Sequence, residues 1–284
     1  PLVCFVNFDG HSFDFSFRNS VQNDWQVANL GNLQMPFGQK FKSALRIDAL
    51  FDNPVKAAGV MEKFECSDDI PGIRKFLEMS ADAMDPVYLA ASLPYSFAYP
   101  DNTKRTQVID EVVLPMARER GIPFAMMIGV ERGTNPELGL AGDSLGKADI
   151  GALKQICRSN PQNKFLVTML SRENQHELAV MGRKFPNLMI FGCWWFLNNP
   201  SIIREMTMER MELLGTTFIP QHSDARILDQ LIYKWAHSRQ VIAEVLAAHY
   251  EKLLGKWPIT AAGIEAEVQR LFSGNFAAFL DWRP

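Results

Sequence analysis

Seven short apolar runs, six of them followed by an amphipathic stretch of helical length, set the strongest limit on what this chain can fold into. The runs are Leu2 to Phe8, Ser43 to Leu50, Val87 to Leu93, Pro123 to Val130, Lys164 to Leu170, Leu188 to Phe196 and Thr216 to Pro220. Most lack polar/apolar alternation, as strands covered on both faces of a parallel sheet do. Between and after them, helical periodicity is expected over Ile73 to Met84, Thr106 to Arg120, Ile150 to Ser159, Glu173 to Lys184, Ser201 to Leu214 and Ala225 to about Lys252. Strands alternating with helices of this length make repeated βα units. The preferred architecture is a (β/α)8 barrel of the TIM type that lacks one strand. A doubly wound open sheet is the alternative, but no G-x-G-x-x-G or P-loop follows any strand to supply its phosphate site.

The length of 284 residues suits one such domain, since barrels of this class run to roughly 250 residues. No repeat, low-complexity segment or linker divides residues 1 to 284. Residues 1 to 40 have no clear assignment, although LVCFVNFD reads as a strand, and residues 254 to 284 read as a helical extension, with helices over Ala261 to Phe272 and Asn275 to Trp282. A composition of 47% apolar residues with a net charge of -3 supports a large core and gives no bias towards nucleic acid or an anionic membrane. Four widely spaced cysteines, none at zinc-site spacing, read as reduced thiols of a cytoplasmic protein. No apolar run approaches the roughly 18 residues of a membrane span.

In barrels of this kind the chemistry sits at the C-terminal ends of the strands. Those ends carry Arg46 and Asp48; Glu131, Arg132 and, in the loop beyond, Asp143 and Lys147; Ser171, Arg172, Glu173 and Asn174; Trp194, Trp195 and Asn198; and finally His222, Asp224 and Arg226. Converging arginines suit a carboxylate or phosphate, because a guanidinium fork holds two oxygens at once. Tandem tryptophans offer a flat apolar wall for a sugar ring, yet on a strand only one of Trp194 and Trp195 can face inward. Each residue has a plainer reading as well. Arg46 can pair with Asp48 or Asp85, Arg172 can form a helix-start pair with Glu173 capped by Asn174, and His222 can either orient Asp224 or touch a ligand. Asp224 stands where a metal ligand or general base is common, and an ion pair with Arg226 would equally explain it.

Four segments carry a resemblance: MIGVERGTNPELGLAGDSLGKAD (127 to 149), FLVTMLSRENQHEL (165 to 178), FGCWWFLNNPSIIREMT (191 to 207) and FIPQHSDARILDQLIYKWAHSRQVIAEVL (218 to 246). ALRIDAL (44 to 50) and MDPVYLAASLP (84 to 94) add to it. Together they resemble uronate (glucuronate) isomerases of the amidohydrolase superfamily, from about residue 41 to the end of the chain. The resemblance implies that Asp224 is a metal ligand and proton-handling group, that Arg226 contacts a substrate oxygen, that Arg46 clamps the uronate carboxylate and that Trp195 walls the sugar pocket. His222 and Arg172 join the candidate substrate contacts. It implies an aldose-ketose isomerase that interconverts D-glucuronate with D-fructuronate, and D-galacturonate with D-tagaturonate as a further pair, with a divalent, zinc-like metal.

One departure bears on that metal. The family's H-x-H pair after the first strand has no counterpart among His11, His176, His222, His237 and His249. The chain is therefore expected to correspond to the later part of such an enzyme. Two other readings stand beside the isomerase: a shortened, metal-free protein that binds uronates or partners without catalysis, and a metal-dependent hydrolase of the same superfamily. The expected partner is a small hexuronate, not nucleic acid or membrane, and a homo-oligomer is compatible with the sequence.

Overall fold

The computed structural model describes residues 2–6, 41–224 and 228–281. Six strands run parallel: β1 (Leu2–Val6), β2 (Phe41–Arg46), β3 (Leu89–Pro94), β4 (Phe124–Glu131), β6 (Phe165–Met169) and β7 (Leu188–Ile190). They lie side by side in that order, and a two-residue strand, β5 (Ser144–Leu145), pairs antiparallel with β4. The helices that return the chain between them are α1 (Ala49–Asp52), α2 (Pro54–Glu62), α3 (Ile70–Met84), α4 (Lys104–Val108), α5 (Leu114–Arg120), α6 (Ile150–Ser159), α7 (Gln175–Lys184) and α8 (Pro200–Leu214). Then follow α9 (Leu228–Leu253), α10 (Ala261–Gln269) and α11 (Asn275–Phe279).

Side-chain parity explains why the apolar runs lack alternation. Along β3, Leu89, Ala91 and Leu93 join the large core between sheet and helices, while Ala90 joins a second core with Ala44, Ala125, Met127, Leu166 and Phe191 on the other face. Both faces of the strands are thus buried, as in parallel sheets generally. The helices start where capping chemistry allows. Asp69 accepts from the Gly72 N–H ahead of α3, Asp149 from Gly151 ahead of α6, and Asn199 from Ile202 ahead of α8, two of these helices having proline in the first turn.

Several boundaries differ from the sequence expectation. The run Ser43 to Leu50 is strand only to Arg46, and the chain turns into α1 at Ala49. The run Leu188 to Phe196 is strand only to Ile190, because Gly192 (φ +71°) and Trp195 (φ +49°) adopt left-handed backbone and Trp195–Leu197 coils into a 3-10 turn. Trp194 and Trp195 therefore follow the strand and do not alternate along it. Thr216 to Pro220 contributes one parallel bridge, Phe191 with Ile219, rather than a full strand, but it does lie beside β7. The helix expected over Thr106 to Arg120 is interrupted by a π turn over Ile109–Val113. Helix α2 and strand β5 had no signal in the apolar pattern.

At the opposite end of the sheet from the site, α11 covers the inner core. The Phe276 ring meets Tyr88 edge-on at 6.2 Å, and Phe279 and Leu280 pack on the same cluster. Asn275 donates from Nδ2 to the carbonyls of Thr216 (2.5 Å) and Phe218 (2.8 Å), tying the tail to the last extended segment. Lys164 donates to the Phe279 carbonyl at 3.0 Å.

Candidate active site

Arg46 ends β2 with its side chain buried. Its Nε and Nη2 each donate to Asp48 at 2.6 Å, a bidentate pair, and Nη2 also donates to Ser92 Oγ on β3 at 2.8 Å. The Ser92 backbone N–H donates to Asp48 Oδ1 at 2.7 Å, closing the cluster. Burial pushes the Asp48 carboxyl upward, but the charge and hydrogen bonds of Arg46 and the Ser92 N–H outweigh it and hold it below the ordinary carboxylate value. Of the two partners open to Arg46, the structure selects Asp48. The register sets Ser92 opposite Met127 and Met127 opposite Thr168, so these three stand in one row across β3, β4 and β6. Ser92 was not legible in the sequence, because nothing in VYLAASL marks it as the partner of an arginine 46 residues earlier.

The far end of the strand path carries the second half of the site. Gly192 follows β7, and its N–H donates to the Ile219 carbonyl at 2.9 Å. A Cβ at Gly192 would lie 2.4 Å from His222 Cβ, so the left-handed glycine is what lets the two segments approach. The His222 ring meets Phe191 at 5.3 Å and Trp194 at 6.5 Å, both edge-on, and its two ring nitrogens are shielded from solvent. Burial, then the positive charges of Arg46 and Lys234, depress the imidazole to about 3, so it is neutral at physiological pH. Asp224 follows with left-handed backbone (φ +46°), and its carbonyl accepts from Lys234 Nζ at 2.9 Å. Trp195 is half-buried, at 5.9 Å from Trp194 and stacked on Phe196 at 4.7 Å.

The electrostatics connect the two halves. From β2 to the Ile219 segment the strand path has five steps, which in a flat sheet would separate their ends by about 24 Å. The positive charge of Arg46 nevertheless adds to the burial that lowers the His222 imidazole, an influence that fits strand ends curling towards each other.

Not every predicted residue joins this centre. Arg172 is exposed and gives its guanidinium to Glu205 on α8 (Nε 2.9 Å, Nη2 2.7 Å), not to Glu173. Asn174 caps nothing with its side chain; it brackets the Ala148 backbone instead, accepting at 3.0 Å and donating at 2.9 Å. Arg132 pairs with Asp143 at 2.6 Å. Arg226 lies outside the described residues. Among the described residues, no three His, Cys, Asp or Glu side chains gather as a metal site, so those residues do not by themselves fit the expected zinc-like ion. Sequence reasoning also passed over Asp52 in α1. Its carboxyl is raised to about 6 by burial and by the neighbouring Asp48 charge, against the opposing charges of Arg132, Arg46 and Arg105.

These features define a class: a parallel α/β protein with a buried Arg46–Asp48–Ser92 cluster at the end of β2 and an aromatic cluster around His222 beyond β7. No family model and no curated protein matches the chain. Solved structures do, and they place it as a structural relative of the uronate isomerases. A uronate isomerase from Bacillus halodurans is 49% identical with a TM-score of 0.84, over 87% of this chain and 60% of that one. A glucuronate isomerase from Caulobacter crescentus (17% identity, TM-score 0.68, 86% of this chain and 59% of that one) shares the fold. So does a uronate isomerase from Thermotoga maritima (16%, 0.68, 84% and 61%). The chain thus spans about 60% of the length of the Bacillus halodurans protein. Among the described residues, no helix is long and apolar enough to cross a membrane.

Proposed function

We propose that this protein is an aldose-ketose isomerase of hexuronates, interconverting D-glucuronate with D-fructuronate and, as a second pair, D-galacturonate with D-tagaturonate. The observation that carries the reading is the buried Arg46 guanidinium held by Asp48 and Ser92 at the end of β2, in a chain 49% identical to a uronate isomerase. The parallel βα order and the structural match support a (β/α)8-type barrel as the complete architecture, with residues 1–284 in a single such unit. The 49% identity to a uronate isomerase supports the substrate class.

Moving a proton between C2 and C1 needs three things: a positioned base, a cation for the developing enediolate oxygen, and a rigid grip on the distant carboxylate. Arg46, fixed in orientation by Asp48 and Ser92, provides the cationic grip. Asp224 takes the proton from C2 and returns it at C1, while the hydroxyl proton of O2 passes to O1 across the enediolate, so that the C2 carbonyl forms as the C1 carbonyl is lost. Arg226 stabilises the enediolate oxygen, and His222, held neutral, orients Asp224 without adding a competing charge. Trp195 offers the sugar an apolar wall. Arg172 can contribute only by leaving Glu205. A divalent metal, when bound, would polarise the carbonyl, with Asp224 as one carboxylate ligand; no step here depends on it.

The decisive test is Asp224→Asn. Interconversion, followed by proton NMR of the sugar, should fall to background while calorimetric binding of D-glucuronate persists. Unchanged turnover would remove Asp224 from the mechanism, and binding without turnover by the unaltered protein would favour the non-catalytic uronate-binding reading.

A further inference from the structure

Arg210 on α8 is 2% exposed and forms no ion pair among the described residues. Burying a guanidinium without a carboxylate is unfavourable, and an apolar side chain of similar volume would fill the space at lower cost. Its contacts show what the charge does there. Nη1 donates to the Gly192 carbonyl at 3.3 Å, Nη2 donates to Gln175 Oε1 at 3.1 Å, and the guanidinium carbon lies 6.0 Å from the centre of the Phe218 ring. Gln175 in turn donates to the carbonyls of Met169 at 2.7 Å and Ser171 at 2.9 Å. One planar fork, with the amide it grips, therefore spans the carboxyl ends of β6 and β7 and the face of the last extended segment.

Gly192 is the point where these contacts meet the site. Its N–H bonds to Ile219, the Ile219 N–H bonds to Ile190 at 2.9 Å, and its α-carbon packs so closely on His222 that no Cβ would fit. We propose that Arg210 is a positioning residue: by holding the Gly192 carbonyl and, through Gln175, the end of β6, it sets where the His222–Asp224 segment stands relative to the sugar. It touches no substrate atom and acts through the backbone. The kinetic part of this inference rests on the isomerase reading above. On that reading Arg46, on β2 and untouched by the Arg210 bracket, grips the substrate and Asp224 moves the proton, so loosening the bracket should weaken turnover and spare binding.

The test compares Arg210→Met, which keeps the volume, with Arg210→Lys, which keeps the charge and one donor. In the Met variant kcat for D-glucuronate should fall about 100-fold with KM within about threefold of the original, and the Lys variant should recover part of the loss. Hydrogen exchange at the Gly192 and Ile219 amides should accelerate in the Met variant, while the Ala90 and Met126 amides on β3 and β4 stay as they were. A folded Met variant with unchanged kcat and unchanged exchange would overturn the proposal, as would acceleration spread evenly over the whole sheet. If the Met variant does not fold, Gln175→Leu removes the same span from the other side and is read in the same way. Should the unaltered protein fail to convert D-glucuronate, the isomerase reading fails, and the exchange comparison still decides the role of Arg210.

Discussion

At Gly192 a left-handed backbone (φ +71°) coincides with a neighbour that leaves no room for a Cβ. Gly192→Ala meets both obstacles, and we expect it to destabilise the fold by about 1–3 kcal/mol in denaturant unfolding. Asp52 makes a prediction of opposite sign. Its folded-state value of about 6 lies above the ordinary 3.8, so the folded protein holds that proton more tightly than the unfolded chain. Stability is accordingly lost as pH rises from about 4 to 6 and the carboxylate is forced to ionise. Asp52→Asn removes that loss; its melting temperature should match the original protein near pH 4 and exceed it at pH 7.5. Equal melting temperatures at both pH values would show that Asp52 ionises freely. Arg172→Ala, by contrast, breaks an exposed pair and should cost less than about 1 kcal/mol. The strand-end position of Arg46 was legible in the sequence, and so was that of Asp224 and Trp195 beyond the last apolar runs; the roles given to them belong to the proposed function. Ser92, Lys234 and Arg210 were not legible, since each matters only through a partner that is far away along the chain.

Among the elements, those built from uninterrupted apolar runs were easiest to read: β3, β4 and β6 appear close to where the runs fall. The early end of β7 was not readable, because Trp194, Trp195 and Phe196 continue the apolar pattern while the backbone has already turned at Gly192. Arg210 illustrates the same limit on a helix, since a charged residue in α8 reads as solvent-facing until the Gly192 carbonyl beyond β7 and the Gln175 amide are seen beside it. The last extended segment is held less by sheet pairing than by its neighbours, one bridge on one side and Asn275 on the other. Asn275→Ala leaves two carbonyls without their donor and should destabilise the protein by about 1–3 kcal/mol in thermal unfolding. A loss below the error of the measurement would mean that packing alone seats α11.

For the molecule as a whole, the proposed uronate site, drawn from both ends of the strand path, would link ligand binding to global stability. D-glucuronate at about 100 times its Kd should stabilise the fold by about 2.7 kcal/mol, visible as a rise in melting temperature. No rise at saturating sugar would argue against a uronate site. The cover that α11 places on the inner core has a different implication, one for synthesis. Tyr88 and Lys164 meet Phe276 and Phe279, which the ribosome adds long after it has finished the strands. Until then the base of the sheet has no lid, and contacts so distant along the chain form slowly. A nascent chain should therefore stay protease-sensitive, and engage holding chaperones, until Phe276 and Phe279 have emerged from the ribosome.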